Sequence, residues 1–126
     1  EEVVLGDRFD CITSSYLCKY AEVEELVRGA KKMLREGGQL IVHDFTYPRN
    51  RLAAHILGVH FRFMQTFGKR GFPHWETAFY ELENFIRQSR WVPELITSLE
   101  GQGFRCIRIE RLTLGIATIV SAKNTN

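Results

Sequence analysis

The chain has 126 residues, 44% hydrophobic and 25% charged, with 17 Lys and Arg against 15 Asp and Glu. That size and composition suit one globular domain able to bury its own core, and they argue against disorder. No apolar run approaches the roughly 18 residues of a membrane span. The first residues do not read as a secretory signal, and a net charge of +2 is too small to argue for nucleic-acid binding.

Three cysteines, Cys11, Cys18 and Cys106, form no CxxC pair. They favour a reducing, cytoplasmic setting over a disulfide framework or a zinc site. Cys11 and Cys106 sit inside apolar runs and read as small buried hydrophobes. Cys18, just past a strand, is the one that can be exposed.

In chain order, Phe9 to Ser14 (FDCITS) is a short, nearly continuous apolar run suited to a strand covered on both faces. Ala21 to Arg35 has helical spacing, with Val23, Leu26, Val27, Ala30, Met33 and Leu34 on one face. Glu22, Glu24 and Glu25 at its start and Lys31, Lys32 and Arg35 at its end complement the helix dipole. Gly37 and Gly38 are expected to stop it. Gln39 to Phe45 (QLIVHDF) is the next strand, so the unit is a parallel βαβ crossover.

Asn50, a plausible N-cap, opens a helix to about Phe67. Its stripe of Leu52, Ile56, Val59, Phe63 and Phe67 is expected to pack in the core. The alternatives are lining an apolar substrate pocket or touching an anionic membrane surface, since Arg49, Arg51, Arg62, Lys69 and Arg70 surround it. Gly68 to His74 reads as a loop, and Thr77 to Gln88 and Pro93 to Gln102 as helices. Phe104 to Leu112 and Ile116 to Lys123 are separated only by Thr113 to Gly115 and read as a hairpin. The order is β-α-β-α-α-α-β-β, an α/β chain.

These segments, taken in series, carry a resemblance. FDCITSSYL at Phe9 to Leu17 is similar to strand four of class I S-adenosylmethionine-dependent methyltransferases. KKMLREGGQLIVHDF at Lys31 to Phe45 is similar to their "hRxLKPGGxhhhxEF" segment, where h is apolar. FYELENFIRQ at Phe79 to Gln88 resembles "YxYLPESIRR" of the menaquinone/ubiquinone biosynthesis (UbiE-type) group. ELITSLEGQGFRCIRIERLTLGIATIVSAKN, from Glu94 to Asn124, resembles its "LTxGI" hairpin region. The resemblance covers nearly the whole chain from Phe9 onward and implies the C-terminal half of such an enzyme.

It implies a partial Rossmann-like sheet in the order 4-5-7-6 with its last two strands an antiparallel hairpin. The chain is then one α/β domain, residues 1–126, with a helical substrate-side insertion at 46–92. The chain does not begin with Met and is short for two βαβαβ halves. No GxGxxG or GxGxG string occurs in it, so S-adenosylmethionine is expected for the complete enzyme and only weakly, if at all, for this chain.

Ser14, Ser15 and Tyr16 follow a parallel strand's C-terminal end, where open α/β sheets bind ligands. The resemblance gives them to the methionine part of the cofactor; the alternative is a polar turn. The family's "SFGLRN" is SYLCKY here, which places Lys19 where an Arg contacts substrate. Asp44 replaces the Glu of "EF" and is read as site-lining, while His43, on the opposite face of the strand, is read as packed. His60 and Met64 on the apolar helix, Tyr47 before it, and Arg87 in "FIRQ" complete the expected substrate side. The catalytic residue is not assigned, and no metal is expected, since His55, His60 and His74 lack ligand spacing with carboxylates or thiols. The expected partners are a small molecule and either a second copy or a separate N-terminal half covering the open edge of the Phe9–Ser14 strand. The other reading is a non-catalytic, methyltransferase-like binding or scaffold subunit.

Overall fold

The computed structural model describes residues 8–18, 20–71 and 76–125. Among these residues four strands and four α-helices follow one another as β1 (Phe9–Ser15), α1 (Val23–Met33), β2 (Leu34–Phe45), α2 (Arg51–Gly71), α3 (Glu76–Gln88), α4 (Trp91–Gly101), β3 (Arg105–Leu112) and β4 (Ala117–Lys123). The sheet order is β1-β2-β4-β3. β1 and β2 run parallel, with Ser14 opposite Val42 and Ser15 opposite His43. Gly37 N–H donates to Asn124 O at the start of β2, and Thr46 N–H donates to Ile116 O beyond its end. The beginning of β2 therefore meets the end of β4, and the sheet is mixed.

The βαβ crossover forms for the reason the sequence suggests, but its boundary differs. Leu34, the residue after α1, is already extended (ψ 139°), so the helix stops before the two glycines. Gly37 and Gly38 lie inside β2 instead. Phe9 faces Leu34 and Cys11 faces Gln39, so β2 carries extra residues here and bulges. Gly37 takes φ +75° in that bulge. α2 likewise runs past its expected end, through Gly71, and the rest of the expected loop, with His74, lies outside the described residues. β3 and β4 are joined through Thr113, Leu114 and Gly115, all at positive φ, which folds the chain tightly back.

The chain divides into two compact units. One takes in residues 8–44, 90–110 and 119–125. Its core gathers Val27, Ala30, Leu34, Leu40, Val42, Trp91, Leu95, Leu99, Phe104 and Val120, with α1 against α4. The other takes in residues 45–71, 76–89 and 111–118, and holds a smaller cluster of Leu57, Phe61 and Ile86 between α2 and α3.

Three expectations about burial are corrected. Among the described residues β1 is an edge strand with β2 as its one neighbour, and most of it is exposed, Cys11 included, instead of covered on both faces. Cys106 is also exposed, on edge strand β3 with φ +54°, whereas Cys18 turns inward and is buried in the first unit's core. In α2 the buried residues are Ala53, Leu57 and Phe61, because α3 packs on that side. The Leu52, Ile56, Val59, Phe63 and Phe67 stripe points outward.

Candidate functional site

The second unit contains an apolar cavity of about 450 Å³, lined by Phe45, Ile56, Leu57, His60, Phe61, Met64, Leu82, Ile86 and Ile116. Helical spacing makes its walls. Leu57, Phe61 and Met64 recur at four- and three-residue steps along α2, and Leu82 and Ile86 one turn apart along α3. The volume lies in the range of small-molecule pockets, roughly 300–1,000 Å³. Among the described residues, His60 is the single ionisable group in the lining. A larger recess of about 690 Å³ in the first unit, beside Glu22, Glu24, Arg90 and Glu94, brings together surface charges of both signs.

Polar groups stand beside the apolar cluster. Tyr47 packs against the Leu57, Phe61 and Ile86 cluster, and the Arg87 guanidinium lies 5.1 Å from its ring centroid. Glu83 holds Arg87 from below: its Oε1 accepts from Arg87 Nη2 at 3.0 Å and Nε at 3.3 Å. Gln65 Nε2 donates to the other Glu83 oxygen at 3.1 Å, tying α2 to α3. Arg87 is thereby fixed in direction while remaining half exposed. Of the residues expected from sequence, His60 and Met64 line the cavity and Tyr47 borders its cluster with Arg87 stacked on it. Phe45, Leu82, Ile86, Ile116, Gln65 and Glu83 were missed. The i, i+4 pair Leu82 and Ile86 was the signal available for two of them.

The first unit holds the other group of expected residues, at the C-terminal ends of β1 and β2. Ser14 and Ser15 close β1, and Tyr16 follows at φ +59°, its N–H bonded to His43 O at 2.9 Å. The Tyr16 and His43 rings meet edge to face at 5.2 Å. A non-glycine residue in the left-handed region stores strain of about 1–3 kcal/mol, which clusters at ligand-binding turns. Alternation along β2 puts Leu40, Val42 and Asp44 on its buried face and His43 on the other. Asp44 is fully buried. Its charge and, more strongly, burial push the Cys18 thiol up to about 11. Ser14 Oγ is buried without a hydrogen-bond partner among the described residues. Lys19 lies outside the described residues.

No protein-family model matches the chain. It is 26% identical over 124 residues to the mitochondrial 2-methoxy-6-polyprenyl-1,4-benzoquinol methylase of Xenopus laevis, covering 96% of this chain and 40% of that protein. It is 28% identical over 115 residues to the ubiquinone/menaquinone biosynthesis C-methyltransferase UbiE of Pseudomonas fluorescens, covering 90% of this chain and 44% of that one. The chain is a distant relative of methyltransferases. It spans less than half the length of these two relatives. In fold it is like a possible exported protein from Bordetella parapertussis, with a TM-score of 0.59 at 21% identity over 95% of this chain and 40% of that structure.

Methyltransferase relatives imply S-adenosylmethionine, and the described residues meet that ligand only in part. The unpartnered Ser14 hydroxyl and the strained Tyr16 turn suit a small polar group at the strand ends. The close-approach glycines that a nucleoside and its neighbouring groups need are not in the sequence. The residues present therefore do not build the whole cofactor pocket.

Proposed function

We propose that this chain is the acceptor-side, C-terminal portion of an S-adenosylmethionine-dependent methyltransferase, or a subunit derived from one, acting on a small apolar aromatic molecule of the quinone-precursor kind. The observation that carries this reading is the apolar cavity, in which His60 is the single ionisable lining group among the described residues. A planar aromatic ring fits such walls, and little else in the lining would hold a charged or sugar-like acceptor. In this reading the order β1-β2-β4-β3 corresponds to strands 4-5-7-6 of the family sheet. The open edge of β1 then takes an N-terminal half or a second copy. Ser14, Ser15 and Tyr16 serve the methionine part of the cofactor.

When bound, the cofactor supplies an electrophilic methyl group. The chain's own part is to hold the acceptor ring in place and keep water away from it. Positioning of that kind supplies much of the rate in group transfer.

The decisive experiment supplies the full-length gene product with radiolabelled S-adenosylmethionine and a reduced 1,4-naphthoquinone. Methyl incorporation that falls when the cavity is filled by Leu82→Trp is the expected result. Incorporation unaffected by Leu82→Trp would overturn the acceptor site. Titration of S-adenosylmethionine into residues 1–126 alone is expected to show weak binding, and tight binding would overturn the assignment of its pocket elsewhere. The sequence's lack of a GxGxG string favours one second reading, a non-catalytic binding subunit that keeps the cavity. It predicts naphthoquinone binding with no methyl transfer.

A further inference from the structure

The outer face of α2 is apolar, continuous and open. Leu52, Ile56, Val59, Phe63 and Phe67 are between 51% and 65% exposed. At about 100° per residue these five positions fall within an arc of about 80° and extend for about 22 Å along the helix. Phe63 and Phe67 lie against each other, ring centroids 4.5 Å apart, as a ready-made aromatic ridge. A contiguous patch of this kind marks an interaction surface, unlike scattered exposed residues.

Charge decides what covers it. α2 contains no Asp or Glu. Arg51, His55 and Arg62, all exposed, fall along one flank of the stripe, about 40–80° round the helix from its nearest member. A second copy would bring the same apolar ridge and the same cations, with no carboxylate on the helix to meet them. An anionic lipid surface supplies both what the ridge and what the flank need: headgroup phosphates for the arginines and the acyl boundary for the aromatic and aliphatic side chains. No helix among the described residues is long and apolar enough to cross a membrane, so α2 would lie in the interface plane.

We infer that α2 docks this protein on an anionic bilayer through Leu52, Ile56, Val59, Phe63 and Phe67, with Arg51 and Arg62 on headgroup phosphates. Ile56 belongs both to this face and to the cavity lining, and His60 is exposed beside it. The cavity mouth thus borders the docking face, and an apolar acceptor reaches it from the lipid without crossing water. That last step rests on the proposed function; the docking does not.

The test is co-sedimentation of the full-length gene product with vesicles of phosphatidylcholine, with and without a third of phosphatidylglycerol. The expected result is binding to the anionic vesicles that weakens with salt. It should drop by about tenfold or more in the Phe63→Ser, Phe67→Ser double variant. Arg51→Gln with Arg62→Gln should remove the preference for anionic lipid while leaving the melting temperature unchanged, because both side chains are exposed. Absence of binding to either vesicle would overturn the inference. So would binding unchanged in the phenylalanine variant, or a concentration-dependent dimer that this variant dissolves. None of these readouts depends on methyl transfer, so failure of the proposed function leaves the outcome legible.

Discussion

The guanidinium of Arg87 lies over the ring of Tyr47, 5.1 Å from its centroid, while Glu83 grips the same group from one turn back on α3. An exposed cation–π pair contributes about 0.5–1 kcal/mol, and an exposed ion pair about 0–1 kcal/mol. Arg87 is thus a minor contributor to stability, fixed in direction beside an apolar cavity. Arg87→Lys keeps the charge but loses the planar stack and the two-nitrogen grip. We expect its unfolding free energy, from urea titration, to fall by about 1 kcal/mol or less, with naphthoquinone affinity reduced several-fold by isothermal titration. A large loss of stability with unchanged affinity would make Arg87 a structural residue and remove it from the site.

Element type and order followed from hydrophobic period and turn residues, as the βαβ unit and the β3–β4 hairpin illustrate. Burial did not. Cys11 and Cys106 sit in apolar runs yet are exposed, because both occupy edge strands. Cys18, in a polar-looking turn, is buried because the chain after β1 turns inward. In α2, apolar residues span about 220° of the helix, so period alone cannot say which part of that arc meets a neighbour. The choice falls to α3, which covers Leu57 and Phe61 and leaves Phe63 and Phe67 outside. Two members of the cavity lining had no signal in the sequence: Phe45 ends β2 and Ile116 lies in the β3–β4 connection, and only folding brings them to α2 and α3.

Gly37 and Gly38 look alike in the sequence and differ in what they tolerate. A Cβ on Gly37 would meet nothing within 4 Å, but φ there is +75°. A Cβ on Gly38 would come within 2.9 Å of Arg35 O and 3.1 Å of Phe9 O, both backbone atoms. Gly37→Ala should cost about 1–2 kcal/mol through the left-handed conformation alone. Gly38→Ala should cost about 1–3 kcal/mol through overpacking and should also disturb the β1–β2 bulge. Denaturant unfolding gives the energies, and amide exchange at Phe9 to Cys11 reports the bulge. Faster exchange is expected for Gly38→Ala and native exchange for Gly37→Ala; the opposite order would contradict the close approach.

Cys18 combines burial with a nearby carboxylate, and both raise its thiol from 9.0 to about 11. The thiolate is the reactive form, so at pH 8 only about one Cys18 in a thousand is ionised. A thiol-alkylating reagent should label Cys11 and Cys106 in the native protein and Cys18 only after unfolding. For stability, both folded and unfolded states hold the Cys18 proton below pH 9, so the group adds no slope there. Between about pH 9 and 11 the unfolded state loses the proton first, and stability falls as pH rises. Cys18→Ala should flatten that alkaline decline in urea midpoints. Native labelling of Cys18 at the rate of Cys11 would contradict its buried position.

Phe61 connects stability to the proposed site, since it is 5% exposed, packs with Leu57 and Ile86, and forms one wall of the cavity. Phe61→Ala removes most of a buried ring and should cost about 3–5 kcal/mol. That is a large share of the roughly 5–15 kcal/mol that holds a domain together, so the variant is expected to loosen or unfold the second unit. Met64→Leu provides the control, because a volume-conserving exchange in the same wall should cost less than about 1.5 kcal/mol. Met64→Leu is therefore expected to keep the native melting curve and yet change naphthoquinone affinity, since a branched side chain replaces a flexible one at the ligand surface. Titration calorimetry beside thermal unfolding separates the two effects. If Met64→Leu leaves both unchanged while Phe61→Ala lowers only the melting temperature, the cavity is a packing feature of α2 and α3, and the acceptor binds elsewhere.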